Sequence, residues 1–321
     1  MPTDQNVEHL SETMIEQYLF TAFCLRQTVR LEKMEVVMVT AGRVALVTGS
    51  TDGVGRYVAR KLAAAGMKVL VHGRDRARAA AVVRSAHEAG GSAQFYLADF
   101  SSLAEVRELA RAVAQDHGEI DILINNAGIG VDGNYPGRQE SKDGIELRFA
   151  VNYLAGFLLT RLLLPRLRRA AGTRIVNVAS VGQQAIDFDD VMLTRGYSGT
   201  RAYCQSKLAQ IMFTIDLAEE LAGSGITVNA LHPATYMDTT MLRGDGLSPL
   251  SSVADGGKAI LQLALGPATA DRTGLYFDGT KEKSANAQSY DAAARARLRQ
   301  LSFELAGIPI HGDGGARAIA N

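Results

Sequence analysis

Residues 43–66 constrain the fold more tightly than any other stretch. Arg43-Val44-Ala45-Leu46-Val47 is a short apolar run, the pattern of a strand buried on both faces of a parallel sheet. Thr48-Gly49-Ser50-Thr51-Asp52-Gly53-Val54-Gly55 follows. Then come Arg56-Tyr57-Val58-Ala59-Arg60-Lys61-Leu62-Ala63-Ala64-Ala65-Gly66, with apolar positions at helical spacing and a glycine stop. A strand that turns through glycines into a helix lets backbone approach a pyrophosphate, and the helix N-terminus favours its negative charge. Gly49, Ser50, Thr51, Asp52, Gly53, Val54 and Gly55 are the expected cradle. Glycines also serve ordinary turns; the flanking strand and helix make this one a dinucleotide fingerprint.

The next strand, Met67-Lys68-Val69-Leu70-Val71, ends at His72-Gly73-Arg74-Asp75. In NAD-binding folds an acidic residue about 20 positions beyond the glycines takes the ribose 2′-hydroxyl. Gly73 stands 20 residues after Gly53, and Arg74 follows it. A guanidinium in place of a carboxylate suits a 2′-phosphate, so NADP(H) is the expected cofactor and NAD(H) the second choice. The plainer role for Arg74 is a solvated helix-start residue paired with Asp75.

Three more motifs follow in order. Asn125-Asn126-Ala127-Gly128 ends a strand, and Ser180 closes Ile175-Val176-Asn177-Val178-Ala179-Ser180. Tyr203 and Lys207, in Ala202-Tyr203-Cys204-Gln205-Ser206-Lys207, share one helix face. A phenol is a poor acid or base near neutrality, because its ordinary pKa is near 10. A neighbouring cation lowers that value, so Lys207 is expected to supply the field and to hold the cofactor ribose. Ser180 is placed to hydrogen-bond the substrate oxygen. A Tyr-x-x-x-Lys pair alone occurs by chance on many helices; its order behind the other motifs gives it weight.

Together these motifs resemble the short-chain dehydrogenase/reductase family over about residues 42–305. Residues 48–55 are similar to the family's Thr-Gly-x-x-x-Gly-x-Gly. The resemblance implies further roles. Asp99, in Leu97-Ala98-Asp99-Phe100, holds the adenine amino group, with Phe100 beside it. Asn126, Ala127 and Gly128 border the adenosine ribose. Asn152, in Ala150-Val151-Asn152, anchors a proton-relay water and joins Ser180, Tyr203 and Lys207 in a catalytic tetrad. Asn152, Tyr203 and Lys207 also border the cofactor, and Pro233 and Thr235 lie at its carboxamide. Residues 195–209, and the 23 residues from Ser180 to Tyr203, resemble the retinol-dehydrogenase-like branch. That likeness implies an inserted segment over residues 181–201, use of NADP(H), and apolar alcohols or carbonyls as substrates. Two positions depart from the family: Pro233-Ala234 replaces Pro-Gly, and Asp238 stands where a threonine is usual, with Thr239 next.

With 321 residues, alternating strand and helix patterns predict one α/β domain, a single doubly wound parallel sheet (Rossmann fold) with helices on both faces. Lys+Arg and Asp+Glu are both 34, so no basic balance points to nucleic acid or an anionic membrane. Cys24 and Cys204 make no disulfide scaffold, and the six histidines show no ligand spacing, so no metal is expected. His232 reads as a packed or solvated histidine. Residues 18–25 are apolar but far shorter than the roughly 20 a membrane span needs. No basic region precedes an apolar core, so no signal peptide is expected, and a cytoplasmic enzyme is.

Val7, Leu10, Met14, Tyr18, Ala22, Leu25 and Val29 predict an amphipathic helical extension over residues 1–41, although Met34 and Met38 also allow a later start. Residues 236–257 carry Met237, Met241, Leu242, Leu247 and Leu250; the resemblance implies a cover over a small hydrophobic substrate. Residues 274–277 predict the last strand, and residues 290–305 a helix whose Arg295, Arg297 and Arg299 are mostly solvated. Residues 306–321 predict a loose tail. The two long helices, about residues 145–169 and 203–222, are the expected faces of a homo-oligomer.

The expected activity is an NADP(H)-dependent oxidoreductase that moves hydride between nicotinamide and a hydrophobic alcohol or carbonyl. Tyr203 serves as general acid or base. The alternatives are a C=C reductase on the same scaffold, a lyase or isomerase with transient hydride transfer, and a non-catalytic NADP(H) sensor.

Overall fold

The computed structural model describes residues 40–131, 135–167 and 172–310. The helical extension expected over residues 1–41 lies outside this set except for its last two residues, and so do Cys24 and the tail beyond Ile310.

The first half alternates strand and helix: β1 (Val44–Val47), α1 (Gly53–Ala64), β2 (Lys68–Gly73), α2 (Arg76–Glu88), β3 (Ser92–Leu97), α3 (Leu103–Asp116) and β4 (Ile122–Asn125). In the second half a wide π-helical turn, Phe149–Leu154, runs into α4 (Ala155–Leu163). Then come β5 (Thr173–Val178), α5 (Gly199–Glu220), β6 (Ile226–His232), α6 (Thr240–Gly244), α7 (Val253–Leu265), β7 (Tyr276–Asp278), β8 (Lys281–Glu282) and α8 (Ala292–Ala306).

The strands form one sheet in the order β3-β2-β1-β4-β5-β6-β7-β8. All neighbours are parallel except β7 and β8. The expected last strand at 274–277 is therefore followed by one more, a two-residue antiparallel edge too short to carry a period. Successive β1 residues face opposite layers. Leu46 packs with Phe149 and Phe157, and Ala45 and Val47 pack with Val58 and Leu62. This two-sided burial is what the unbroken apolar run predicts. The chain winds outward in both directions from β1 and β4, so a crevice opens at the carboxyl ends of these strands.

One arginine of α8, Arg295, departs from expectation, while Arg297 and Arg299 are exposed as expected. Arg295 is buried and pairs with Glu219 at 2.7 Å, and Arg299 pairs with the buried Asp216 at 2.7 Å. The Arg297 guanidinium lies 5.0 Å from the Phe188 ring centroid. The cause is the placement of α8 across α4 and α5. Phe303 meets Phe157 edge-on at 5.3 Å, and the Tyr153 and Ser302 hydroxyls bond at 2.6 Å. Arg161 sits over the rings of Phe157, Phe213 and Phe303 at 5.4, 5.8 and 5.0 Å. The chain's own helix thus occupies part of the face that the sequence offered to a second copy.

Candidate active site

The turn after β1 is stitched to the turn after β4. Thr48 Oγ1 accepts from the amides of Asn126 and Ala127, at 2.9 and 3.0 Å. Asn126 Nδ2 donates to the carbonyls of Thr48 and Gly49, at 2.9 and 3.1 Å. Gly49 and Gly53 have φ of +62° and +51°, where side chains are disfavoured. A Cβ on Gly55 would lie 2.3 Å from the Gly49 carbonyl oxygen and 2.5 Å from Asn126 Nδ2. Asp52 caps α1, its carboxylate accepting from the Gly53 amide at 2.8 Å. At the end of β2, Gly73 leaves room for Thr51, whose Cγ2 would be 2.4 Å from a Cβ there. Arg74 donates to the Tyr135 hydroxyl at 3.0 Å and lies 3.9 Å from Asp99. Asp75 is instead committed to capping α2, accepting from the Arg78 amide at 2.9 Å. Arg74, Asp99 and Thr51 thus meet at one end of the crevice.

Ser180 follows β5, and Tyr203 and Lys207 lie on α5. The Ser180 hydroxyl hydrogen-bonds the Tyr203 phenol and accepts from the Gly182 amide at 3.1 Å. Lys207 Nζ donates to the Val178 carbonyl at 2.9 Å and to Gln210 Oε1 at 3.0 Å, and lies 5.7 Å from the Tyr203 ring centroid. Asn152, on the π-helical turn, accepts from the Ile129 amide at 2.7 Å and donates to Ser206 Oγ at 3.0 Å. A Cβ on Gly128 would stand 3.3 Å from Asn152 Oδ1 and 3.6 Å from Lys207 Nζ. Asn152 and Lys207 therefore meet at the turn after β4, and Lys207 lies beside the Tyr203–Ser180 pair. Across the crevice Pro233 is buried and Thr235 is exposed, with its hydroxyl 3.1 Å from His232 Nε2.

The comparisons with known proteins point the same way. Residues 43–246 match the short chain dehydrogenase family. This chain is a short-chain dehydrogenase/reductase. Retinol dehydrogenase 13 from Homo sapiens is 37% identical over 289 residues, covering 83% of this chain and 85% of that protein. An uncharacterized protein from Mycobacterium paratuberculosis superposes with a TM-score of 0.67 at 30% identity, covering 84% of this chain and 96% of that one. RhlG from Pseudomonas aeruginosa, solved as an NADP active-site complex, has a TM-score of 0.61 at 29% identity, covering 74% of this chain and 94% of its own. The chain lies in the retinol-dehydrogenase-like branch. It is an oxidoreductase of CH–OH and C=O groups that uses a nicotinamide cofactor.

The surroundings of Tyr203 and Lys207 correct one expectation. Burial pushes the Tyr203 phenol up, the Ser180 hydroxyl pulls it down, and the charges of Cys204 and Asp245 add to the rise. Burial also pushes Lys207 down to about 7. Desolvation therefore outweighs the Ser180 hydrogen bond, and the Lys207 amine points at a carbonyl and an amide oxygen rather than at the phenol. The dinucleotide itself fits this chain. A side chain at Gly55 would be sterically excluded, and the buried Lys207 amine stands at the Gly128 turn.

Several residues of the dehydrogenase carry no motif. His72 Nδ1 accepts from the Gly49 amide and Nε2 bonds the Ala98 carbonyl, both at 3.1 Å, which places its proton on Nε2. Its ring stacks 4.3 Å from Phe100, and burial holds its pKa down to about 4, so it is neutral at pH 7. Arg148 is fully buried. It donates to the Gly130 carbonyl at 3.0 Å, the Tyr135 carbonyl at 2.8 Å, the Tyr197 hydroxyl at 2.6 Å and the Val131 carbonyl. It thereby joins the inserted segment to the loop after β4. A strap over residues 236–250 reaches both the turn after β1 and the loop after β4. Thr240 donates to Asp52 at 2.7 Å, and the Val131 amide donates to Asp245 at 3.2 Å. Tyr236, where the strap begins, has φ +46°, an uncommon value for a residue with a side chain.

Proposed function

We propose that this chain is an NADP(H)-dependent dehydrogenase/reductase that interconverts a hydrophobic alcohol and its carbonyl compound. The observation that carries this reading is the meeting of Asn152 and Lys207 at Gly128, with Lys207 beside the Tyr203 ring and Ser180 hydrogen-bonded to its phenol. When bound, the nicotinamide gives or takes the hydride at the substrate carbon. Residues 49–55 hold the pyrophosphate, Asp99 and Phe100 the adenine, and Asn126, Ala127 and Gly128 the adenosine ribose. Lys207 holds the nicotinamide ribose, and Pro233 and Thr235 border the carboxamide. In reduction, the Tyr203 phenol gives its proton to the carbonyl oxygen as that oxygen gains charge. Ser180 orients the oxygen, and Asn152 keeps a relay to solvent in place. A phenol held up by burial rests protonated at neutral pH, ready to act as the acid.

Two details support the finer assignments. Arg74, rather than a carboxylate, stands beyond the glycines, and RhlG was solved with NADP. Of seven exposed large hydrophobics among the described residues, four (Tyr236, Met241, Leu247 and Leu250) lie in the strap, and Val181 directly follows Ser180. The relatives' names make retinal a fitting probe.

Calorimetric titration of NADPH and NADH tests the cofactor, and NADPH oxidation with retinal tests the chemistry. Arg74→Ala is expected to weaken NADPH binding at least tenfold and leave NADH unchanged. Tyr203→Phe is expected to lower kcat by about 10²–10⁴ with cofactor binding intact. Wild-type binding of NADH as tight as NADPH overturns the cofactor assignment. Full turnover in Tyr203→Phe overturns the mechanism.

A further inference from the structure

We propose that Tyr276, on β7, is a positioning residue that sets the direction of the Ser180 hydroxyl. Its own hydroxyl is buried and donates to the Ser180 carbonyl at 3.0 Å. No motif marks it; the sequence shows only a strand-forming residue near the end of the sheet.

The reach across the sheet is the first ground. Tyr276 pairs with Ala230 of β6, and Ser180 lies just beyond β5, on the other side of β6. The phenol therefore crosses a whole strand to make this bond. It shares a small buried cluster with Ala179, Ala230 and Ile211. The small Ala230 side chain leaves the ring room to cross, and close packing on both sides holds it there.

The acceptor is the second ground. A buried phenol needs a partner, and many carbonyls would serve. This carbonyl belongs to the residue whose hydroxyl bonds the Tyr203 phenol. It lies past the end of β5, outside the strand ladder, and side chains hold it instead. Gln183 Nε2 donates to it at 3.1 Å beside Tyr276, and Gln183 Oε1 accepts from the Asn286 amide at 2.7 Å. The peptide between Ser180 and Val181 is thus fixed from outside the catalytic helix. Burial above all, then the Asp278 charge, pushes the Tyr276 phenol up, so it stays protonated and a donor.

The consequence is directional. The Gly182 amide donates to Ser180 Oγ at 3.1 Å and so occupies one lone pair of that oxygen. The Ser180 hydrogen is left to point at Tyr203 or at the substrate oxygen. Peptide groups are rigid planes, so a swing of the Ser180 carbonyl would carry the next amide with it. By holding that carbonyl, Tyr276 holds the amide that aims the hydroxyl.

This inference rests on the role proposed for Ser180, and the test separates the two. Steady-state kinetics with NADPH and retinal compare Tyr276→Phe, Ser180→Ala and the double variant. Tyr276→Phe keeps the ring and removes the hydroxyl alone. It is expected to lower kcat at least about fivefold, with KM and NADPH affinity unchanged. In the Ser180→Ala background it is expected to lower kcat no further, because the hydroxyl it aims is gone. A hydroxyl that merely steadies the fold would act equally in both backgrounds, and that result overturns the proposal. Amide exchange at Gly182, read by NMR without substrate, needs no turnover. It is expected to quicken at least about fivefold in Tyr276→Phe, and unchanged exchange overturns the proposal. If Ser180→Ala is impaired and Tyr276→Phe is not, this inference fails alone. If Ser180→Ala turns over like wild type, the role of Ser180 fails and this inference falls with it.

Discussion

The turn after β1 and the strap over residues 236–250 border the same crevice and are built in opposite ways. In the turn, backbone groups are bonded on several sides at once, by Thr48, Asn126 and His72, and glycine is the only residue that fits at 55. The strap meets the body through separate side chains: Thr240 on Asp52, Thr239 against Gly53, Asp245 on Val131, Met237 against Gly256, and the buried Leu242. Met241, Leu247 and Leu250 face solvent. A surface that meets one unvarying dinucleotide is over-determined. On the proposed function, the strap is the surface that admits and releases an apolar substrate, and it is held by separate contacts, each removable with little effect on the rest.

Paired glycine substitutions are the strongest way to break this contrast. Gly55→Ala drives a methyl group into the Gly49 carbonyl, and that carbonyl is fixed by Asn126. The expected result is a loss of about 1–3 kcal/mol of stability. Cofactor affinity is expected to fall roughly 100-fold, about 2.7 kcal/mol. Gly246, in the strap, has φ +71° but open space around it. Gly246→Ala is expected to cost about 1 kcal/mol for the backbone alone and leave cofactor binding unchanged. Calorimetry and thermal melting read both; equal losses of affinity would erase the difference between turn and strap.

Lys207 sharpens the contrast from inside the rigid half. Its folded value near 7 lies below the ordinary 10.5, so between these limits the unfolded chain binds a proton that the native chain does not. The buried ammonium therefore costs stability in full below pH 7, and the cost fades as pH rises toward 10.5. Lys207→Met is expected to raise stability at pH 6 by on the order of a few kcal/mol, to bring little gain at pH 10, and to abolish turnover. Thermal melts across that range check the sign. A variant less stable than wild type at pH 6 would mean that the bonds to Val178 and Gln210 outweigh desolvation.

Much of the rigid half was legible because its demands are steric and local. A turn that excludes a Cβ writes glycine into the sequence, and a strand buried on both faces writes an unbroken apolar run. The order of the motifs then fixed which side chains could meet. What stayed hidden depends on burial, which no short window reports. His72 looks like any strand-end histidine. Arg148 and Arg295 look like surface charges, yet tertiary packing encloses both. The direction of the Tyr203 shift was misread for the same reason: spacing shows that a cation is near, and only packing shows that burial sets the direction.

Asp245 offers the mildest intervention, and it falls on the strap's far anchor. Its carboxylate accepts from the Val131 amide at 3.2 Å and crowds Gly130, where a Cβ would lie 2.3 Å from Oδ2. Its charge also helps hold the Tyr203 phenol up. Asp245→Ala removes both effects. Losing one partly exposed hydrogen bond of about 1 kcal/mol corresponds to a roughly fivefold rise in KM for the proposed apolar substrate. Asp245→Asn keeps an acceptor for Val131 and removes the charge alone, so KM is expected to hold. Alcohol oxidation needs the deprotonated phenol, and lowering its pKa moves the acid limb of kcat/KM to lower pH. Steady-state kinetics of both variants across pH therefore separate anchoring from charge. A fall in kcat with unchanged KM in Asp245→Ala would place the strap within the catalytic frame, and its loose construction would then need a cause other than substrate entry.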